Sequence, residues 1–259
     1  MSNYTTEITS DKIPSDNPIH QRLLKAYIIA KPLVKGDLLE IGCGEGRGIE
    51  ELSDVCTRYV ALDKITETVE HLSKQYKNVE FINATIPPIS QIEDNSFDTI
   101  VSFQVIEHIK DDLLFLQEIH RILKPGGSAY ITTPNIKMTL SRNPWHIREY
   151  TADGLEQLAK KVFNVVEMNG VAGDDVVMEY YQMNKASVEK IMRFDIFNLQ
   201  YLLPASVLKI PYEILNRRNR DGLKSSDNQL VSNINHENYL YRNKNETNLD
   251  LFCILTKDK

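Results

Sequence analysis

Short apolar runs alternate with amphipathic stretches along most of the chain, which predicts a parallel sheet carrying helices on both faces. Runs at 38–41, 59–62, 79–82, 99–103 and 128–132 read as buried strands. Helical patterns fall between them, around 49–55, 66–76 and 111–123. In the last of these Leu113, Leu116, Ile119 and Leu123 make one apolar face, widened by Leu114 and Ile122. Asp111 and Asp112 stand at its positive end and Arg121 and Lys124 at its negative end, as the helix dipole favours. Pro125-Gly126-Gly127 then stops it. A first helix is expected over 19–34, where Leu23, Leu24, Tyr27 and Ile28 recur at helical spacing. A later one over 151–161 leads to a strand at 163–168, and the apolar run 249–256 reads as a closing strand.

The segment 174–248 breaks this rhythm. It opens with Val188, Ile191 and Met192 at i, i+3 and i+4, passes Pro204 and Pro211, and turns polar and asparagine-rich from 216 to 235. The closing strand has no partner unless it returns to the main sheet, so this segment is expected to be a mainly helical insertion before it. The expected organisation is an N-terminal flap and helix at 1–34, a core at 35–173, an insertion or lid at 174–248 and a final core strand at 249–259.

Composition narrows the class. With 259 residues, 42% of them hydrophobic and 25% charged, the chain has material for a large α/β core. A net charge of −6 argues against a surface that tracks nucleic-acid phosphates. Cys43, Cys56 and Cys253 are too scattered for a disulfide framework or a zinc cluster and suit a reducing compartment. The polar N-terminus lacks the apolar centre of a secretory signal, and no run is long enough to span a bilayer. A cytoplasmic location is therefore expected.

The informative stretch is Glu40-Ile41-Gly42-Cys43-Gly44-Glu45-Gly46, a strand running into glycines and then a helix. Glycines here allow a tight turn and let a ligand lie against the main chain. A pyrophosphate would be poorly served by the carboxylate of Glu40 beside the loop, whereas a cationic sulfonium with an α-amino group would be well served. Asp63 ends the second strand, 21 positions beyond Gly42, where it can accept from two ribose hydroxyls. The third ends in Asn83-Ala84, where an amide oxygen can accept from an adenine amino group.

These residues resemble the class I S-adenosylmethionine-dependent methyltransferases, in particular the group sharing a methyltransferase type 11 core. The remaining markers follow in order: Asn95-Ser96-Phe97-Asp98-Thr99-Ile100, Val105-Ile106-Glu107-His108, and Glu118-Ile119-His120-Arg121-Ile122-Leu123-Lys124-Pro125-Gly126-Gly127. The resemblance implies a Rossmann-like α/β fold whose seven-stranded sheet has the order 3-2-1-4-5-7-6, with the last strand antiparallel. It implies S-adenosyl-L-methionine as cofactor, held by Glu40, Gly42, Cys43, Gly44, Gly46, Asp63, Lys64, Asn83, Ala84, Gln104 and Val105. The family usually carries Asp where Asn83 stands.

On the acceptor side, His108 either starts a short helix or lies close to the transferred methyl as a base. The loop 141–150 either packs on itself through Arg148 and Glu149 or forms an acceptor wall from Trp145, His146, Arg148 and Tyr150. His108 and His146 are the catalytic candidates; no metal site or catalytic triad is expected, because the cofactor carries the reactivity. Asn143-Pro144-Trp145-His146 with Arg148-Glu149-Tyr150 also resembles bacterial members acting on sugars, lipids or other envelope precursors. The expected acceptor is a small molecule, glycan or lipid methylated on oxygen. The insertion is read as packing over the acceptor pocket, with a homodimer contact or a membrane-surface patch as alternatives, and Arg217, Arg218 and Arg220 as a solvated face. The rivals are an NAD(P)-dependent oxidoreductase, a non-catalytic binding module, and a nucleic-acid or protein methyltransferase. Acidity disfavours the nucleic-acid substrate, as does Ser102-Phe103-Gln104-Val105 where an Asn/Asp-Pro-Pro-Tyr/Phe signature would stand.

Overall fold

The strand β1 (Asp37–Ile41) is buried on both faces, and its alternation divides the core. Leu39 and Ile41 join one apolar cluster with Val60 and Leu62 of β2 (Arg58–Asp63), while Leu38 joins another with Tyr59 and Ala61. In the computed structural model, which describes residues 12–195 and 198–259, this pair lies one strand in from the edge of a single sheet. The other strands are β3 (Glu80–Asn83), β4 (Phe97–Phe103), β5 (Leu123–Pro134), β6 (Val165–Gly173), β7 (Tyr239–Asn243) and β8 (Asp250–Thr256). Their order is β3-β2-β1-β4-β5-β8-β6-β7. Neighbours from β3 to β5 pair in parallel, and β8 runs antiparallel to both β5 and β6.

The order is the expected Rossmann-like one with an eighth strand added at the edge. That strand, β7, pairs antiparallel with β6 and falls inside the segment expected to be helical. Its sequence concealed it: only Tyr239 is buried and the last three residues are exposed, so no apolar run marks it. Two other strands also outrun their sequence signal. β5 begins directly after the preceding helix and includes Pro125-Gly126-Gly127, and β6 continues to Gly173.

The helices are α1 (Asn17–Ala30), α2 (Arg47–Leu52), α3 (Thr66–Gln75), α4 (Asp112–Ile122), α5 (Ala152–Ala159), α6 (Asp175–Met192), α7 (Leu199–Leu202), α8 (Ala205–Ser226) and α9 (Asn228–Asn233). Their starts are chemically marked: Asp111, Thr151, Asp174 and Asp227 each accept a hydrogen bond from a backbone N–H of the first turn. Helices α6, α8 and α9 build a third apolar cluster from Val177, Tyr180, Leu223 and Val231 against Val171 of β6 and Tyr239 of β7. Among the described residues no helix is long and apolar enough to cross a membrane.

Two charged groups behave differently from what the sequence suggests. Arg217 and Arg220 are not a solvated face; both bond to Asp16, which is 0% exposed, and only Arg218 is exposed. Asp16 belongs to the expected N-terminal flap, whose first eleven positions lie outside the described residues. Arg121 in the Glu118–Gly127 marker is a structural clamp. Its guanidinium donates to both Glu118 oxygens, to Asp94 and to the carbonyls of Ile89 and Ile92, while Glu118 also accepts from the N–H of Ile89. Arg121→Ala is expected to lower stability by about 2–3 kcal/mol, because charge-assisted bonds to a loop disappear together. Urea denaturation measures this; a loss within experimental error would reduce the clamp to a surface pair.

Candidate active site

The glycine loop is fastened to the tip of β2. The N–H groups of Gly42 and Cys43 donate to the carbonyl of Leu62 at 2.7 and 3.1 Å, and Gly44 N–H donates to Asp63 Oδ2 at 2.9 Å. Asp63 Oδ1 accepts from the N–H of Ile65 at 2.9 Å, so the carboxylate braces both its own strand end and the loop. Gly42 needs φ +82°, and a Cβ there would stand 2.4 Å from Val105 Cγ2. At Gly44, φ is +51° and a Cβ would meet nothing within 4 Å, so the main chain is bare over open space.

That space is a cavity of about 320 Å³. Gly42, Cys43, Gly44, Asp63, Lys64, Ala84, Gln104 and Val105 line it, as do Arg47, Ile65, Ile86 and Phe103, which sequence reasoning missed. Ile65 and Ile86 had a legible signal, each standing just past the tip of a strand; Arg47 had none beyond its place after the glycines. The ends of β1, β2 and β4 thus surround one volume, as open α/β sheets provide for ligands.

Three expected cofactor residues lie elsewhere. Glu40 is 1% exposed and points into the core on the α1 side, where it accepts from Tyr27 at 2.7 Å and Tyr59 at 2.6 Å. Burial raises its pKa above the usual carboxylate range, against the pull of the two phenols. Gly46 caps α2 and packs against Leu72. Asn83 faces Asp63 across the β2–β3 register; its amide donates to the Asp63 carbonyl and accepts from Thr66. The amide oxygen expected to read adenine thus accepts from the Thr66 hydroxyl, while the amide N–H braces the end of β2.

A second cavity of about 260 Å³ adjoins the first, and Leu23, Gln104 and His108 line both. Its wall includes Glu107 and His146, together with Tyr180, Asn184, Tyr212, Asn219 and Arg220 from α6 and α8. Gln104 sits at the shared boundary with φ +58°, a left-handed conformation rare for a side-chain-bearing residue. The short turn Ile106–His108 is clamped to the loop after β5, because Ile147 and Arg148 N–H groups both donate to the Glu107 carbonyl. This brings His146 to His108, with ring centroids 5.1 Å apart. Burial pushes Glu107 up to about 7, while the nearby His146 draws it back down.

Of the expected acceptor wall, only His146 lines the cavity. Arg148 and Tyr150 both reach Asp112 at the start of α4 and hold the loop from outside. Trp145 lies under Lys209 Nζ, which stands 3.6 Å from the ring centroid, and so connects the loop to α8. Arg142 reinforces that link by donating to the carbonyls of Gln200 and Leu203. The loop packs as a strut between core and insertion, with Arg148 paired to Asp112 and Glu149 to His146 instead of to each other.

Comparison with known proteins matches this geometry. A family model described as a methyltransferase domain fits residues 39–131, which contain the glycine loop, Asp63 and His108. Residues 39–131 form a methyltransferase domain, similar to those of S-adenosylmethionine-dependent methyltransferases. A probable S-adenosylmethionine-dependent methyltransferase of Mycolicibacterium smegmatis is 38% identical over 142 residues, covering 52% of this chain and 54% of that protein. The human mitochondrial ubiquinone biosynthesis O-methyltransferase is 32% identical over 142 residues, covering 52% of this chain and 37% of that protein. The match therefore spans about half the length, or less, of these curated relatives. A crystal structure from Thermotoga maritima, described as a possible histamine N-methyltransferase, shares the fold. It has a TM-score of 0.59 at 15% identity and covers 94% of this chain and 91% of that one.

Proposed function

We propose that the chain transfers a methyl group from S-adenosylmethionine to a hydroxyl of a small polar acceptor, such as a sugar, a lipid headgroup or another small molecule. The observation that carries this is the junction: a glycine-walled cavity and a polar cavity meet at Gln104 and His108. Bound in the first cavity, S-adenosylmethionine would supply an electrophilic methyl on a sulfonium. The fit rests on Gly44, which leaves the main chain open, and on Asp63, whose carboxylate has acceptor capacity beyond its two backbone bonds. Ile65, Ala84, Ile86 and Phe103 offer apolar surface to a purine. Glu40 acts from the core, holding α1 against β1 and β2 beneath the loop.

The second cavity supports a hydroxylated acceptor. Arg220 Nε and Asn219 Oδ1, on residues lining it, are buried without a hydrogen-bond partner. Tyr180, Asn184 and Tyr212 add further polar groups to the same wall, which suits a hydroxylated ligand. The 174–248 segment is the proposed lid on this side, since α6 and α8 furnish much of the wall. Kinship with an O-methyltransferase supports oxygen as the acceptor atom. Orientation and exclusion of water are then the protein's main contributions.

Calorimetry with S-adenosylhomocysteine tests the reading. The wild-type chain is expected to bind it and to ignore NADH, and Asp63→Ala is expected to weaken binding about 150-fold or more through two lost charge-assisted bonds. His146→Ala is expected to keep that affinity yet slow methylation of a hydroxylated acceptor panel about 100-fold. Binding of NADH in place of S-adenosylhomocysteine would overturn the assignment, and undiminished turnover would remove His146 from the chemistry.

A further inference from the structure

Glu107, His108 and His146 each offer one ligand atom, and these atoms all lie within 4.8 Å of one another. Two of the three are adjacent in sequence, while the third is brought in by the main-chain bonds of Ile147 and Arg148 to Glu107. Hydrogen bonding sets the tautomer of both rings. His108 Nδ1 lies 2.9 Å from the Trp145 carbonyl, which can only accept, so Nδ1 carries the proton. His146 Nδ1 lies 2.7 Å from Glu149 Oε1, again an acceptor. Its Nε2 is 2.8 Å from Asn143 Nδ2, and Asn143 is oriented by its Oδ1, which accepts from Trp145 N–H. The amide therefore donates, and His146 Nε2 presents its lone pair. Neutral imidazole protonated on Nδ1 is the ligand form of histidine, and a carbonyl or carboxylate on Nδ1 is the outer-sphere arrangement seen around metal-bound rings.

We propose that Glu107, His108 and His146 bind one divalent transition-metal ion of the zinc type at the junction of the two cavities. Two imidazoles and one carboxylate with the acceptor cavity alongside match a site that keeps a coordination position for substrate. The Glu107 carboxylate is 1% exposed, with one oxygen accepting from Thr133, and a bound cation would compensate its burial. Asn143 must release His146 Nε2 when the ion enters. Glu149 and the Trp145 carbonyl act as positioning groups that fix the rings.

The catalytic consequence rests on the methyltransferase reading; ion binding does not. The ion takes the acceptor hydroxyl as a ligand and lowers its pKa, so the O–H proton leaves to solvent. An oxygen lone pair then forms the C–O bond as the S–CH3 bond breaks. The sulfur keeps that electron pair, the sulfonium becomes a neutral thioether, and the acceptor leaves as a methyl ether. No oxidation change occurs.

The test uses tag-free chain stripped with a chelator and titrated with Co2+ in the absence of nucleoside. Visible d–d absorption is followed, with Zn2+ as competitor. Saturation at one equivalent, reversed by one equivalent of Zn2+, is expected. Glu107→Gln and His146→Gln should each weaken the ion about 100-fold or more, and Glu149→Gln about 10–100-fold, with far-UV circular dichroism and S-adenosylhomocysteine affinity retained. Asn143→Ala should bind at least as tightly as wild type, an outcome a merely structural cluster would not give. Absence of a d–d signal, or equal affinity in the wild type and both ligand variants, would overturn the site. Ion binding with methylation equally fast before and after chelation would overturn its catalytic role. Failure of S-adenosylhomocysteine to bind would sink the methyltransferase reading alone.

Discussion

Gly42→Ala is expected to cost about 2–5 kcal/mol of folding stability and to reduce S-adenosylhomocysteine affinity below detection. Two independent penalties coincide at this position. The backbone holds φ +82°, where a Cβ costs about 1–2 kcal/mol, and the new methyl would meet Val105 Cγ2 at 2.4 Å, an overlap costing about 1–3 kcal/mol to relieve. Neither strain relaxes locally. The N–H groups of Gly42 and Cys43 are committed to Leu62, and Val105 lies between Gln104 and the turn that carries Glu107 and His108. Moving Val105 would disturb both cavities. Gly44→Ala is the control, since its φ of +51° brings the conformational penalty without any contact within 4 Å. Thermal unfolding and calorimetry on both variants separate the effects. Equal losses at the two glycines would show that packing against Val105 contributes nothing.

The contrast between these glycines shows which features could be read from the chain. That Gly42, Gly44 and Asp63 line one cavity could be read because a strand, its turn and the next parallel strand form one local unit whose spacing is set by the fold. Glu40 lies off the cavity that the same reasoning expected it to line. Proximity in sequence to the loop suggested contact with a ligand, but strand alternation places its side chain with Leu38 on the α1 side, where Tyr27 and Tyr59 meet it. Asn83 lies off that cavity as well, because the β2–β3 register sets it opposite Asp63, and that pairing is not visible until strands are aligned. The second cavity was least legible of all. Its wall draws on Leu23, Glu107, His146 and Arg220, positions far apart in the chain that α1, the turn after β4, the β5 loop and α8 bring together. Glu107, His108 and His146 lack ligand-like spacing, so the proposed cation site had no signal in the chain for the same reason.

Asp16→Ala is expected to cost about 3–5 kcal/mol, because it strands one buried and one half-buried guanidinium. Asp16 Oδ1 accepts from Arg217 at 2.7 Å and from Arg220 at 2.9 Å, and the Arg220 side chain is only 8% exposed. Neighbouring residues repeat the attachment: Ser15 donates to Asp221, Asn17 to the carbonyls of Val231 and Ile234, and Tyr239 to that of Pro18. The N-terminal turn thus acts as a rivet between α1, α8, α9 and β7. Arg220 lines the acceptor cavity and Asp16 touches neither cavity, so a loosened rivet should raise the acceptor KM and leave S-adenosylhomocysteine binding near its wild-type value. Charge is the specific cause if Asp16→Leu combined with Arg217→Met and Arg220→Met recovers most of the stability, since apolar replacements leave no ion unpaired. A denaturation midpoint unchanged in Asp16→Ala would mean that solvent already reaches these guanidiniums. The N-terminal turn would then be a passive neighbour of the acceptor cavity.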